Sequence, residues 1–96
     1  MAKKLETSAV KAWLNDRDGW KLKSRTIIKT FKFDSFRNSI VFVNRVATLA
    51  DDQDHHPDID VRYDQVTISL STHDAGGITE KDLELAKAVD FATSAR

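Results

Sequence analysis

The sequence predicts an α+β domain, a two-layer sandwich in which three helices pack on one face of a four-stranded antiparallel sheet. Two observations predict it. Segments of alternating polarity fall into two hairpin-like pairs, and three segments of helical spacing precede, separate and follow them, giving the order helix, two strands, helix, two strands, helix. The 96 residues hold no linker-like stretch, so residues 1–96 read as a single domain. The pattern leaves the order of strands in the sheet open. With 41% hydrophobic residues the chain can bury a real core. A domain this small buries a smaller share of its surface than a large one, which favours self-association as a homodimer or homotetramer.

Thr7 or Ser8 is placed to cap a first helix in which Val10, Trp13 and Leu14 stand at i, i+3 and i+4, and Asn15, Asp16, Asp18 and Gly19 end it. From Trp20 to Phe33 the spacing changes to two: Trp20 and Leu22 share a face, as do Ile27, Phe31 and Phe33, giving two strands that meet near Lys23 to Arg25. Asp34 or Ser35 then caps a second helix. Phe36, Ile40, Val43, Ala47 and Ala50 step along one side of it, and Phe42, Val46 and Leu49 form a second stripe, expected to face another subunit. After the polar run Asp51 to Asp54, Pro57 forces extended or turn backbone on His56.

Ile59, Val61 and Tyr63 alternate, as do Val66, Ile68 and Leu70, which predicts a hairpin turning around Tyr63 to Gln65. Gly76 and Gly77 permit a sharp turn before the third helix. Thr79 and Asp82 have the spacing of a capping box, Ile78 and Leu83 that of a hydrophobic staple, and Leu83, Ala86 and Val89 trace the inner face with Asp90 at its edge.

Composition excludes several functions. Fifteen basic and fifteen acidic side chains cancel and are interspersed, so nothing supplies the one-signed field of a nucleic-acid or anionic-membrane binder. The absence of cysteine removes disulfides, thiolate zinc sites and thiol nucleophiles. The first fourteen residues carry charge throughout and no apolar run, so neither a secretory signal nor a membrane span is expected, and the expected location is cytoplasmic. The only glycines are Gly19, Gly76 and Gly77, which leaves no phosphate-cradling loop.

All three histidines, His55, His56 and His73, belong to one polar constellation that also holds the only proline, Pro57. Imidazole, with an unperturbed pKa of about 6.5, both gives and takes a proton near neutrality, so converging copies point to acid–base chemistry. Three histidines and nearby carboxylates also form a nitrogen and oxygen donor set for a metal. Adjacent residues on extended backbone point to opposite sides, however, so His55 and His56 are poorly placed to share an ion, and no metal is expected.

Asp51, His55, His56, Pro57, Tyr63, His73 and Asp82 together resemble the signature of the pterin-4a-carbinolamine dehydratase family, whose animal members also serve as a dimerisation cofactor of a homeodomain transcription factor. The resemblance extends to Gly19-Trp20, to the spacing of Phe31, Phe33 and Phe36, and to Ser71 through Asp74, and so covers nearly the whole chain. Asp51 stands where relatives often carry Glu. The resemblance implies a hydro-lyase that removes water from a 4a-hydroxytetrahydropterin, as in tetrahydrobiopterin recycling, with neither metal nor redox cofactor.

By that resemblance the catalytic set is His55, His56, His73 and Asp82. His55 and His73 form the acid–base pair, His56 orients the pterin, and Asp82 steadies an imidazole by accepting its hydrogen bond. Asp51, Asp54, Ser71, Thr72 and Trp20 then contact the substrate, Trp20 as a wall. The alternative it carries is a protein-interaction module acting as a transcriptional coactivator, with the wide apolar girth of the second helix as the docking face.

Overall fold

The computed structural model describes residues 3–94. Its elements are α1 (Thr7–Asn15), β1 (Lys21–Lys23), β2 (Thr26–Lys32), α2 (Phe36–Gln53), β3 (Asp58–Arg62), β4 (Gln65–Leu70), a single 3₁₀ turn (His73–Ala75) and α3 (Glu80–Ser94). The sheet runs β1-β2-β4-β3 with every neighbouring pair antiparallel, so the fold is the α+β sandwich that the sequence predicts. The two hairpins lie side by side through β2 and β4, which α2 separates in the chain.

Register explains which residues are buried. Ile27 stands opposite Leu70, Lys29 opposite Ile68 and Phe31 opposite Val66, while Ile59 and Val61 meet Ile68 and Val66 from the other side. A one-residue slip would turn the whole set out to solvent, so the apolar alternation specifies this pairing. Ile27, Val66 and Ile68 are fully buried, and each such side chain stabilises the fold by about 1.5–3 kcal/mol. Val10 of α1, Phe42 and Val46 of α2 and Leu85, Ala86 and Val89 of α3 complete one core over this face. On the opposite face the hydroxyls of Thr30 and Thr67 pair at 2.8 Å in solvent.

Local chemistry sets the ends of the elements. Ser35 caps α2, its hydroxyl accepting from the Asn38 N–H at 3.1 Å. The cap of α1 is Glu6 rather than Thr7 or Ser8, and it makes no side-chain hydrogen bond, since the helix begins one residue earlier than the hydroxyls would require. Thr79 heads α3: its N–H donates to Asp82 and its hydroxyl accepts from the Lys81 N–H. Tyr63 occupies the β3–β4 turn with φ 55° and is exposed there, close to Phe36, rather than packing as a strand aromatic.

One expectation is corrected. The Phe42, Val46 and Leu49 stripe of α2, expected to face another subunit, faces the sheet: Phe42 lies between Phe31 and Phe33 at ring distances of 4.8 and 4.9 Å. Two adjacent apolar stripes compete for the core, and the one carrying the large aromatic fills the space above β2. Ile40 and Val43 are left half-buried, and Phe36 and Ala47 are exposed.

Candidate active site

Three segments converge at one end of the sandwich. The first is the C-terminus of α2. Asp54 adopts a left-handed conformation, φ 49° and ψ 44°, and the His55 N–H donates to the Ala50 carbonyl at 3.0 Å, so the chain turns sharply out of the helix as it delivers His55 and His56. Asp accepts this geometry more readily than most residues, and the turn satisfies helix-end carbonyls. The two neighbours differ in burial: the His55 side chain is 10% exposed and that of His56 60%.

The second segment leaves β4 as Ser71–Thr72 and enters the 3₁₀ turn carrying His73. A bridge between Thr72 and Gly77 closes this loop, with the Thr72 N–H donating to the Gly77 carbonyl at 2.8 Å. Gly76, at φ 76°, supplies the left-handed residue that ends the turn. The third segment is the first turn of α3, which brings Asp82 beneath the other two.

Asp82 is fully buried and joins all three. Its Oδ1 accepts from His55 Nε2 at 2.6 Å, and its Oδ2 accepts from the Thr72 hydroxyl at 2.8 Å and from the Thr79 N–H at 2.9 Å. Since the Thr72 hydroxyl donates to Asp82, the 2.7 Å contact between the Thr72 and Thr79 hydroxyls has Thr79 as donor. The buried carboxylate is thus satisfied on both oxygens, the condition under which a polar group is tolerated in a core. With Nε2–H committed to Asp82, Nδ1 of His55 is left without a partner among the described residues.

The structure brings His55, His56 and His73 to one cavity of about 350 Å³, together with Asp54, Ser71 and Thr72. His73 makes no side-chain hydrogen bond or ion pair among the described residues. Asp51 stands outside the cavity and pairs with His56 Nε2 at 3.0 Å, both side chains in solvent. Thr72 lines the cavity, but its hydroxyl is held inward by Asp82 and Thr79.

Trp20 is not part of this cluster. It is 4% exposed within the core, edge-on to Phe31, and its Nε1–H donates to Asp90 at 2.9 Å. The structure also adds residues that sequence reasoning missed. Asp74 and Lys81 line the same cavity, and Thr79 extends the buried hydrogen-bond chain. The capping box signals Thr79 as an N-cap; its link to Thr72 depends on where the loop after β4 lands. Among the described residues no three His, Asp or Glu side chains are arranged to hold a metal ion, and no helix is long and apolar enough to cross a membrane.

The family model for Pterin 4 alpha carbinolamine dehydratase matches residues 3–92. A protein of Sulfurisphaera tokodaii, provisionally named pterin-4-alpha-carbinolamine dehydratase, is 47% identical over 88 residues, covering 92% of this chain and 95% of its own length. A relative from Roseiflexus sp. (strain RS-1), under the same provisional name, is 48% identical over 90 residues, with 94% and 97% covered. Among solved structures, the transcriptional coactivator/pterin dehydratase from Brucella melitensis superposes with a TM-score of 0.88 at 31% identity, over 92% of this chain and 96% of that one. A pterin dehydratase-like protein identified as a RuBisCO assembly factor in the alpha-carboxysome matches with a TM-score of 0.60 at 26% identity, over 74% and 82%.

Proposed function

The chain belongs to the Pterin 4 alpha carbinolamine dehydratase family, and from that premise we propose that it removes water from a 4a-hydroxytetrahydropterin by histidine acid–base catalysis. The reaction is redox-neutral. The C4a–O bond breaks as its oxygen gains a proton, the N5 proton is withdrawn, and the electron pair of that N–H bond becomes the C4a=N5 double bond of a quinonoid dihydropterin. An acid and a base must therefore flank one edge of the ring. His55 and His73 fill those roles: they reach the 350 Å³ cavity from two distant stretches of the chain, and His55 has one ring nitrogen anchored on Asp82 and the other unpartnered.

Asp82 acts by fixing the tautomer and orientation of His55 and by balancing the charge that the ring acquires as it takes a proton. His56, held by Asp51 at the rim, orients the ring. Asp54 and Ser71 offer acceptors and donors to the amide-like edge of the pterin, and Thr72, whose N–H is given to the Gly77 carbonyl, lines that edge. The product feeds a reductase, in the manner of tetrahydrobiopterin-type cofactor recycling. We place the protein in the cytoplasm as a homodimer or homotetramer, and light scattering at micromolar concentration checks the latter: a monomer would refute it.

The observation that carries the reading is the convergence of imidazoles from two distant stretches on one cavity, one of them braced by a fully buried carboxylate. The test is dehydration of a synthetic 4a-hydroxytetrahydropterin followed by ultraviolet absorbance. Wild-type rates in both His55→Ala and His73→Ala would refute it. The fold also supports a second use, as a protein-interaction module, because the two solved neighbours are described as a transcriptional coactivator/pterin dehydratase and as an assembly factor. Docking alone makes no use of a His55 ring nitrogen left unpartnered on a residue that lines the cavity, and on that ground dehydration ranks first.

A further inference from the structure

The histidine cavity shares a wall with a neighbouring one. Ser71, Thr72 and His73 also line a second cavity, of about 230 Å³, whose other walls are Arg25, Gly76 and Gly77. Arg25 sits in the two-residue turn between β1 and β2, where Ser24 takes φ 57°. Continuing the Ile27↔Leu70 register by two residues brings Arg25 opposite Thr72, so the fold itself sets this cation beside the active-site loop. Arg25 is exposed and makes no ion pair among the described residues. Arg25 and Gly77 in turn border a third hollow of about 100 Å³, to which Lys4 contributes. The absence of a side chain at Gly77 gives Lys4 its place, since a Cβ there would stand 3.1 Å from the Lys4 Cε.

The resulting groove is polarised. Asp54 and Asp74 stand at the histidine end, with Lys81, while Arg25 and Lys4 stand at the other. An anion is disfavoured beside the two aspartates and favoured past His73. In a pterin the carbon that bears the side chain, C6, is bonded to N5, the nitrogen that must lose its proton. With C4a and N5 between the acid–base pair, the side chain leaves the ring at the next carbon, and Ser71, Thr72 and His73, which line both of the larger cavities, border its way to Arg25.

Building on the dehydratase reading, we propose that Arg25 is a specificity residue selecting pterins whose C6 side chain ends in an anionic group, a phosphate or a carboxylate, over those with a neutral side chain. A guanidinium presents a planar fork of donors that matches both oxyanions, and an unpaired one is free to make the match.

The test is fluorescence titration of the full chain at low ionic strength with three oxidised pterins: 6-hydroxymethylpterin, its phosphate ester, and a pterin bearing a 6-carboxyethyl group. The wild type is expected to bind one or both anionic ligands about three- to tenfold more tightly than the neutral one, the size of a single solvent-accessible ion pair with good geometry. The two anionic arms separate phosphate from carboxylate. In Arg25→Glu the preference should vanish or invert, in Arg25→Lys it should be partly kept, and in the wild type it should shrink as salt is added. Circular dichroism melting shows that the variants are folded, as expected for an exposed turn position. Equal affinity for all three ligands in the wild type, or a preference that survives Arg25→Glu, overturns the inference while leaving the dehydratase reading intact. A wild type that binds none of the three overturns both.

Discussion

Helix α3 carries two carboxylates eight residues apart, about 12 Å along its axis, and each accepts a hydrogen bond from an aromatic nitrogen. Asp82, at the first turn, holds His55. Asp90 holds the Trp20 indole at 2.9 Å and the Lys29 ammonium at 2.8 Å, and Lys29 in turn lies 4.8 Å from the centre of the Phe31 ring. Both tie the helix to the sheet side of the core. They differ in what the aromatic donor offers on its far side. An indole has one nitrogen and cannot titrate, so the Trp20 arrangement ends where it is bonded. An imidazole has a second nitrogen, and that of His55 is unpartnered on a residue that lines the cavity. A buried carboxylate under a ring is thus no sign of catalysis by itself; the free nitrogen on a reachable face makes the difference.

The largest expected effect breaks this comparison most directly. His55→Ala and His73→Ala should each lower kcat/KM for dehydration by about 10²–10⁴-fold, the usual share of a positioned acid or base, whereas Trp20→Phe, if folded, should keep most of the activity. An equal loss in Trp20→Phe, with melting unchanged, would return Trp20 to the role of substrate wall.

Asp82→Asn comes next. An amide has one acceptor oxygen where the carboxylate has two, so either His55 or the Thr72 and Thr79 donors lose their partner; this should cost about 10–100-fold in activity, and the disturbed buried network should lower stability by about 1–3 kcal/mol. Asp90→Asn should show a comparable loss of stability, a fall in Tm of several degrees for a domain of this size, with kcat/KM changed less than about twofold. Kinetics alongside thermal melting separates the two sites. Parallel losses of activity in both variants would erase the distinction.

A smaller effect concerns pH. One imidazole must be neutral to take the N5 proton and another charged to give one to the 4a-oxygen, so kcat/KM should fall on both the acid and the alkaline side. At low pH the base is already occupied; at high pH the acid is already spent. A flat profile between about pH 5 and 9 would contradict the division of roles.

The molecule shows why some of this was legible in the sequence. Ile27, Phe31, Val66, Ile68 and Leu70 alternate because one sheet face is solvated, and Thr79 with Asp82 marks the start of α3 because capping is local. His55, His56, His73 and Asp82 are linked in the sequence by spacing that resembles a family signature, which is independent of how strongly they pair. Non-local choices left no such trace. The β2–β4 pairing joins hairpins separated by α2, and nothing within either hairpin names its neighbour. Trp20 alternates with Leu22 as a core or a site residue would, and its partner Asp90 lies seventy positions away. For α2 the two apolar stripes are nearly equivalent in sequence; the space between Phe31 and Phe33 decides between them. Arg25 carries no local sign of its neighbour, because only the β2–β4 register sets it opposite Thr72.

The last comparison is between the adjacent histidines themselves. His55 and His56 each meet an aspartate through Nε2, at 2.6 and 3.0 Å, yet Asp82 is fully buried while the Asp51 side chain is 75% exposed. Water solvates the exposed pair in either arrangement and salt screens it, so its contribution is small. Asp51→Ala should therefore raise KM for the pterin by less than about fivefold and leave kcat and Tm nearly unchanged. Asp51→Glu, which keeps the carboxylate on an arm one methylene longer, should match or slightly improve on the wild type. A fall in kcat in Asp51→Ala as large as that in Asp82→Asn would mean that the exposed pair closes over bound substrate and becomes as water-excluded as the buried one, which would erase the contrast between the two histidines during turnover.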